Sequence, residues 1–356
     1  MNDVTTNILK TALKTLYYTR LDAALAPITQ GAGVIFMLHH VQPGRPDPFA
    51  PNRILSVTPE FLSTVVEHVL EREFDIVSID EAHARMASGK IGKRRFATFT
   101  FDDGYRDNIE HALPIFRRHD VPMTIYVAPD FCDGKGRAWW VTLEKVLAEM
   151  TSIAVPFADG ERVLPLTTVA DKYVALNEIY PWLRAMPDAA IHMHVDRWAA
   201  IARIDPFAAC RDLVMNWDEV RAAAKDPLVT IGAHTMSHAS LAKCSSDQAR
   251  WEMAASIEHV EHELGTDCRH FAYPYGDAGS AGPREFEIAR ELGLHTAVTT
   301  QKGLIATNVS DQLTGLPRLS LNGDFQDERF VKVLLSGAPF KMMELAKSAL
   351  PRRRAA

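Results

Sequence analysis

The chain contains the segment Thr98-Phe99-Thr100-Phe101-Asp102-Asp103-Gly104-Tyr105. Its alternating β-branched and aromatic residues predict a strand, and the glycine after the two aspartates predicts that the chain turns away there. Burial of two adjacent carboxylates costs free energy unless a positive group lies beside them. The segment therefore predicts a strand that ends at a positively charged site, and a metal ion is the first candidate.

Size and composition indicate a globular chain with no general affinity for nucleic acid. The 356 residues suffice for one large domain or two ordinary ones, and 47% of them are hydrophobic and 24% charged. The net charge of −6 offers no basic face to nucleic acid. We expect a cytoplasmic protein, because no apolar run approaches ~20 residues and the N-terminus lacks the form of a signal peptide. Four separated cysteines fit a reducing compartment, namely Cys132, Cys210, Cys244 and Cys268.

Short apolar strands alternate with amphipathic helices along most of the chain, which predicts parallel strands with helices outside. The predicted strands are Val34 to Leu38, Asp75 to Ile79, Phe96 to Phe101, Met123 to Val127, Leu228 to Gly232, His270 to Tyr273, Thr296 to Thr299 and Leu316 to Leu321. One predicted helix starts at Thr58-Pro59. Other predicted helices span Asn108 to Arg118, Ser246 to Leu264, Pro283 to Leu292, Asp327 to Leu335 and Lys341 to Leu350. Seven or so such units point to an α/β fold, a distorted barrel related to the (β/α)₈ barrel, whose chemistry sits at the C-terminal strand ends.

The alternation divides the chain into a main domain with additions. Residues 31–325 form the predicted barrel domain, in which residues 131–215 read as a helical insertion with helices from Trp139 to Met150 and from Val169 to Met186. Residues 1–30 hold an amphipathic helix, from Thr5 to Ala26, that either packs on the domain or contacts a membrane surface. Residues 326–356 hold C-terminal helices and a basic tail, Arg352-Arg353-Arg354.

Two histidines follow another predicted strand, in the segment His234-Thr235-Met236-Ser237-His238. Histidines four apart in a helical turn lie on one side of it, so both rings could meet one ion. Two imidazoles and one carboxylate make a three-ligand set with open positions, which is typical of a catalytic rather than a structural metal site. The remaining aspartate could then accept a proton from water.

These motifs resemble those of the NodB-like polysaccharide deacetylases, carbohydrate esterase family 4. The segment from Thr98 to Tyr105 resembles the first motif of that family, His234 to His238 the second, and Phe271-Ala272-Tyr273-Pro274-Tyr275-Gly276 the third. Leu38-His39 resembles the Y-H or F-H that opens the domain in many bacterial members. The resemblance covers roughly Val34 to Leu321.

The resemblance implies a role for each matching residue. Asp103, His234 and His238 would bind a divalent metal, usually Zn²⁺, and Asp102 would be the general base. The backbone N–H of Tyr275 would stabilise the oxyanion together with the metal. The implied reaction is hydrolysis of an N-acetyl group on an amino-sugar oligo- or polysaccharide, which gives acetate and a free amine.

Two departures from the family pattern leave roles to be filled. Many members carry an arginine that hydrogen-bonds the base, but Ala272 stands at that position, and we predict that Arg318 holds Asp102 instead. Many members also carry a late histidine that protonates the leaving amine, but the matching strand here lacks one. The acid could be His39 or the solvent, and His39 could equally be a buried structural histidine.

Substrate contacts are predicted for aromatic and turn residues near the motifs, namely Tyr105, Pro274, Trp139 and Trp140. The two tryptophans could stack on sugar rings or could anchor a helix to the core.

Three functions are compatible with the sequence: a sugar N-deacetylase, an amidohydrolase for a small non-sugar amide, and a non-catalytic carbohydrate-binding homologue. The intact Asp102, Asp103, His234 and His238 speak against the third. The expected partner is an N-acetylated oligosaccharide or polysaccharide precursor, and the expected place of action is the cytoplasm, with the inner face of the membrane as an option.

Overall fold

A computed structural model describes residues 3–44, 47–72, 74–89 and 94–349. Most of its strands belong to one parallel sheet, and two smaller pairs lie outside it. In chain order the strands are β1 (Gly33–Leu38), β2 (His40–Val41), β3 (Ser56–Val57), β4 (Asp75–Ile76), β5 (Phe96–Phe101), β6 (Met123–Val127), β7 (Ser152–Phe157), β8 (Gly160–Pro165), β9 (Val229–Ala233), β10 (His270–Ala272), β11 (Thr296–Lys302) and β12 (Leu316–Ser320).

Helices surround the sheet and also precede and follow it. In chain order they are α1 (Asp3–Thr19), α2 (Leu21–Thr29), α3 (Pro59–Glu71), α4 (Ile79–Ser88), α5 (Leu113–His119), α6 (Pro129–Cys132), α7 (Trp139–Glu149), α8 (Val169–Arg184), α9 (Asp188–Ile201), α10 (Ala208–Leu213), α11 (Trp217–Ala223), α12 (Ser246–Leu264), α13 (Pro283–Glu291), α14 (Glu328–Leu335) and α15 (Ala338–Ala349). Within the described ranges none of them is long and apolar enough to cross a lipid bilayer.

Seven parallel strands close into a barrel. The pairing order β1-β12-β11-β10-β9-β6-β5 returns to its start because β1 also pairs with β5 along its whole length. β4 lies outside this ring: it pairs with Phe96 and Ala97 of β5, whereas β6 pairs with Thr100 and Phe101. Since β1 occupies the other edge of β5, β4 and β6 share one edge, and this sharing distorts the barrel. The predicted distorted (β/α) barrel is confirmed.

Alternate residues of the strands pack into two separate cores, as the period of a strand requires. Phe36 of β1 and Phe99 of β5 belong to the larger core, which also contains helix residues such as Leu62 and Phe116. This core therefore lies between the barrel and its helices. Ile35 and other strand residues, with residues of α4, form the smaller core inside the barrel.

Most predicted elements are present, and the boundaries differ where local backbone geometry intervenes. The predicted N-terminal helix is two helices, because Arg20 adopts a left-handed φ of 60° between α1 and α2. The strand predicted to end at Ile79 ends at Ile76, since Ser78 caps α4, a helix that the pattern did not predict. The helix predicted from Asn108 begins as a π-helical turn over Asn108–Ala112 before α5.

The insertion contains its predicted helices and a hairpin that was not predicted. α7 and α8 lie within the predicted ranges, and α9 follows α8 after Pro187. Strands β7 and β8 pair antiparallel on either side of a turn at Gly160, which has φ of 127°. The boundaries of residues 31–325 and 131–215 as units stay a prediction, and the basic tail lies outside the described residues.

The buried His68 on α3 makes stability depend on pH. Burial, with Arg72 and Lys332 nearby, lowers the pKa of its imidazole from 6.5 to about 4. Between these two values the unfolded chain binds a proton that the folded chain excludes, so the free energy of unfolding decreases as the pH falls. We expect this residue to cost roughly 2 kcal/mol of stability between about pH 7 and about pH 5, measured by denaturant unfolding.

The matched variants are His68→Gln and His262→Gln. His68→Gln should lose this component of the pH dependence, whereas His262→Gln should behave as the wild type because the side chain of His262 is 85% exposed. An unchanged pH dependence in His68→Gln would exclude His68 as its origin.

Candidate metal and active site

Three side chains from two strand ends meet at one buried point. Oδ1 of Asp103, which follows β5, lies 3.4 Å from Nε2 of His234 and 3.2 Å from Nε2 of His238, which follow β9. Burial raises the pKa of the Asp103 carboxyl, and positive charge on the His238 and His234 rings would hold that pKa well below its usual range. The ligand atoms of all three residues lie within 4.8 Å of one another.

The proton positions in this cluster fit a metal ion. Nδ1 of His234 lies 2.7 Å from the carbonyl oxygen of Ala272 and must donate to it, so the lone pair of a neutral ring at Nε2 faces Asp103. Oδ1 of Asp103 is buried and accepts no well-formed hydrogen bond from the described residues. A lone pair and a carboxylate oxygen repel each other unless a cation lies between them. One oxygen and two nitrogens, with an outer hydrogen bond fixing one ring, are donors suited to Zn²⁺ or a similar ion.

The histidine segment is not the helical turn that its spacing suggested. Thr235 and His238 both have left-handed φ angles, of 58° and 62°, and the segment is an irregular loop. Glu252 of α12 holds the loop in a shape that brings the two histidine rings together. The Glu252 carboxylate accepts hydrogen bonds from the N–H and the hydroxyl of Ser237, at 3.0 and 2.7 Å. The first motif turns similarly, with φ of 71° at Asp103 and 66° at Gly104.

Asp102 is held by a buried arginine, as the sequence predicts. Arg318 on β12 donates from its two terminal nitrogens to the two Asp102 oxygens, both at 2.7 Å. Its Nε donates to the carbonyl of Thr299 at 2.8 Å. Burial raises the pKa of Asp102, but the Arg318 guanidinium outweighs it and leaves the pKa below its ordinary value. Asp102 is therefore an oriented carboxylate at neutral pH.

His39 lies at the edge of the same site. Its Nε2 is 4.0 Å from Oδ2 of Asp102, and its side chain is 19% exposed. Burial lowers the pKa of the imidazole. The carbonyl of His39 accepts a 2.7 Å hydrogen bond from the side-chain amide of Asn108. The ring thus lies beside Asp102 and lines the cavity.

Tyr275 forms a strained turn that presents its backbone N–H. Its φ is 60°, and its N–H finds no acceptor among the described residues. Several contacts fix the turn. The Tyr275 carbonyl accepts a hydrogen bond from the Thr300 hydroxyl at 2.6 Å, and the Tyr275 phenol oxygen accepts one from Nε1 of Trp139 at 2.8 Å. The guanidinium of Arg184 stacks on its ring at 3.7 Å.

These groups open into a cavity of about 670 Å³. Of the residues predicted to contact substrate, Trp140 lines it and its ring packs 4.9 Å from that of His238. Tyr105, Trp139 and Pro274 are buried and do not line it. The ring of Tyr105 stacks on His40 instead. The structure thus brings together Asp102, Asp103, His234, His238, His39, Tyr275, Arg318 and Trp140.

The helical insertion supplies one cavity wall through residues that the sequence analysis did not single out. α8 of the insertion contributes residues at helical spacing, namely Leu176, Asn177, Tyr180, Pro181 and Arg184. Asn52 and its neighbours contribute the opposite side. The spacing of the α8 residues defines a single helix face, but only the packing of the insertion reveals that this face meets the cavity.

A second histidine cluster lies at the other end of the barrel. His270 and His295, at the N-terminal ends of β10 and β11, lie near Asp80 of α4. Here the polar atoms have ordinary partners: Nε2 of His270 is 3.0 Å from Oδ1 of Asp80, and its Nδ1 is 2.8 Å from Oγ1 of Thr296. These contacts tie α4 to the N-terminal end of the barrel.

Comparison with known proteins places the chain in a class. A family model described as "Polysaccharide deacetylase" matches residues 89–155 and 188–297, which include Asp102, Asp103, His234, His238 and Tyr275. The chain belongs to the polysaccharide deacetylase family, hydrolases that act on carbon–nitrogen bonds in linear amides. The unmatched residues 156–187 contain β8 and α8. No curated protein matches the chain.

Solved structures with similar folds include two that are described as deacetylases and the protein IcaB. The Streptococcus pyogenes deacetylase PplD, in complex with acetate, has a TM-score of 0.56 at 16% identity over 85% of this chain and 97% of its own. IcaB from Ammonifex degensii has a TM-score of 0.53 at 16% identity, over 86% of this chain and 98% of its own. A polysaccharide deacetylase from Bacillus cereus has a TM-score of 0.53 at 14% identity, over 85% of this chain and 68% of its own. At such identities the likeness is one of fold.

Replacement of Arg318 by methionine should leave Asp102 buried without its partner. We expect the free energy of unfolding to fall by about 3–5 kcal/mol and the acidic limb of the pH–rate profile to move to higher pH, because the pKa of Asp102 rises. Urea unfolding and hydrolysis rates across pH measure the two effects.

The control is Arg290→Met, which removes a surface ion pair with Glu287 on a side chain that is 67% exposed. It should cost less than about 1 kcal/mol and leave the pH profile unchanged. Equal effects of the two substitutions would mean that the Arg318 contact has no special role.

Proposed function

We propose that the protein is a metal-dependent hydrolase that removes N-acetyl groups from an amino-sugar oligo- or polysaccharide. The observation that carries the proposal is the convergence of Asp103, His234 and His238 beside Asp102, the carboxylate held by Arg318, at the floor of an open cavity. Family membership supports the reaction class.

Asp103, His234 and His238 would hold the metal, and Zn²⁺ suits this donor set. When bound, such an ion lowers the pKa of water and polarises a carbonyl oxygen, which an amide requires because it is a poor electrophile. The Nδ1–H contact of His234 with Ala272 keeps Nε2 directed at the ion.

Asp102 would accept a proton from the attacking water. Both of its oxygens are oriented by Arg318, so the carboxylate needs no rearrangement to receive the proton. As water adds to the acyl carbon, the N–H of Tyr275 would donate to the carbonyl oxygen on which negative charge develops. Loss of such a donor costs ~3 kcal/mol of transition-state stabilisation in related sites.

Cleavage of the C–N bond releases acetate and an amine that must take up a proton. His39 is the side chain placed for this transfer, since its Nε2 lies 4.0 Å from the Asp102 oxygen and its ring lines the cavity. The proton that Asp102 received from water can pass through His39 to the leaving nitrogen, and the solvent is the alternative donor.

The cavity walls suit a sugar chain of more than one residue. Trp140 and Tyr180 offer aromatic faces, and Asn52 and Asn177 offer amides for sugar hydroxyls. We propose that these side chains bind the sugars next to the acetylated one. An N-acetylated glycan or its precursor is thus the proposed partner.

We propose that the protein acts in the cytoplasm, at the inner face of the membrane or near it. All four cysteines are free thiols. Burial raises the pKa of the thiols, that of Cys268 to about 12 and that of Cys244 to about 11. Unpaired cysteines of this kind are typical of a reducing compartment.

A panel of N-acetylated glycans tests the function. The metal-loaded protein is incubated with N-acetylated oligosaccharides of increasing length and, separately, with small non-sugar amides, and released acetate is assayed. Acetate from the glycans supports the proposal. Acetate from the small amides alone would make the protein a different amidohydrolase, and no acetate from either would favour a non-catalytic binding homologue.

Substitution of the two aspartates should affect different properties of the protein. Asp103→Ala should lose metal affinity, because it removes the one carboxylate ligand of the cluster. Asp102→Asn should retain the metal and lose about 10²–10⁴-fold in turnover, because the amide cannot accept the proton. Metal analysis of the dialysed proteins and acetate release measure the two properties, and full activity in both variants would refute the proposed site.

Substitution of the α8 wall should affect binding of longer substrates. We expect Tyr180→Ala to raise KM for a trisaccharide about tenfold with little change in kcat, since ~1.4 kcal/mol of uniform binding is lost. Val174→Ala, on the same helix, is the control, because Val174 is 59% exposed and does not line the cavity. A purely structural role for Tyr180 would instead lower kcat and thermal stability together.

A further inference from the structure

Helix α2 has an inverted polarity for a helix that faces water. Its only charged residue, Asp22, is buried with 6% exposure, whereas Ile28 is 82% exposed and Leu21 48%. A surface helix normally buries its apolar face and exposes its polar one. The exposed residues of α2 are all apolar, namely Leu21, Ala23, Ala24, Pro27 and Ile28.

The neighbouring helices also expose apolar residues. α15 abuts α2, since the Thr29 hydroxyl donates to the carbonyl of Ser336 at 2.6 Å and Gly337 leaves no room for a side chain against Thr29. α1 also packs on α2. Half of the large hydrophobic residues exposed in the described ranges belong to these three helices. We call this the terminal-helix surface; it includes Ile8, Tyr18, Leu21, Ile28, Met342 and Met343.

The exposed charges on α1 and α2 are positive among the residues whose side chains are described, although the chain carries a net charge of −6, and Asp327 before α14 lies near Lys14. Between residues 5 and 29 the exposed charged side chains are Lys14 and Arg20, with Lys10 half-buried, and the one acid, Asp22, is buried. On α15, Lys341 and Glu344 pair at 2.8 Å and cancel each other. The sequence beyond α15 adds Arg352, Arg353 and Arg354.

The combination of apolar and basic groups selects one kind of partner. A symmetric dimer through this surface would bring the same lysines and arginines of two copies face to face, which repel. An anionic bilayer offers apolar chains for the exposed hydrophobic residues and phosphates for the basic ones. Apolar surface on this scale in a water-exposed position is typical of an interaction site.

We propose that the terminal-helix surface docks the protein on anionic lipid bilayers. Leu21 and Ile28 enter the interface between headgroups and acyl chains, while Lys14 and Arg20 contact lipid phosphates. The docking does not depend on the proposed catalytic function. It holds the cavity at a membrane, where a lipid-linked glycan would be available as substrate.

Co-sedimentation of the full-length protein with vesicles tests this proposal. We expect the protein to sediment with vesicles of phosphatidylcholine and phosphatidylglycerol, to bind pure phosphatidylcholine much more weakly, and to be released by salt. The double variant Lys14→Glu/Arg20→Glu should bind about tenfold more weakly or worse. Ile28→Asp should lose a similar amount, because a carboxylate cannot enter the interface.

The control is Ile201→Asp, which changes a residue of α9 that is 61% exposed outside the terminal-helix surface. It should bind vesicles as the wild type does. Melting temperatures verify folding, and hydrolysis of a soluble substrate should be equal in all variants, so that a failure of docking is distinguishable from a failure of the active site.

Two results would overturn the proposal. One is vesicle binding that is absent in the wild type or unchanged in Ile28→Asp. The other is a wild-type dimer in sedimentation velocity that Ile28→Asp converts to a monomer without any vesicle binding, which would make this surface a contact between two copies of the chain.

Discussion

The ion pair between Arg318 and Asp102 is the contact on which the interior of the barrel depends. The guanidinium is fully buried, and such a group destabilises a fold unless its hydrogen bonds are satisfied. They are satisfied from two strands, by Thr100 and Asp102 at the end of β5 and by Thr299 on β11, around an arginine carried by β12. The same contacts that make the charge tolerable inside the barrel fix the carboxylate that the proposed chemistry uses. The contact between Arg318 and Asp102 therefore serves both the stability of the barrel and the orientation of the carboxylate.

A second constraint is conformational. Asp103, Thr235, His238 and Tyr275 all have left-handed φ angles, which are unfavourable for residues other than glycine. Regular strands bring the chain to the rim of the barrel, and these residues form the turns around the point where the side chains of Asp103, His234 and His238 meet. Side-chain contacts offset the local strain, as Glu252 does for the histidine loop. The geometry of the site thus depends on surroundings that hold several unfavourable backbone conformations.

The sequence predicted the parts of this arrangement that follow from local pattern. Strand periodicity is sufficient for the barrel, because parallel strands bring their C-terminal ends to one rim. The pairing of Arg318 with Asp102 was predicted from the family resemblance, which calls for an arginine beside that carboxylate, together with the position of Arg318 on the last strand. The backbone of the histidine loop was misassigned, since H-x-x-x-H spacing is the same in a helix and in a loop. The burial of Tyr105 and Trp139 and the cavity face of α8 depend on the packing of the insertion, which no short-range pattern encodes.

The location of α8 has a consequence for how such an enzyme can diversify. The helix walls the cavity, yet it lies in residues 156–187, between the two parts of the chain that match the family model. Exposed cavity residues such as Asn177 and Tyr180 take no part in the contacts that hold Asp102 or gather Asp103 with the histidines. Mutation at these two positions can therefore explore new ligand shapes while the reactive centre stays unchanged, so that recognition and chemistry are able to evolve separately there.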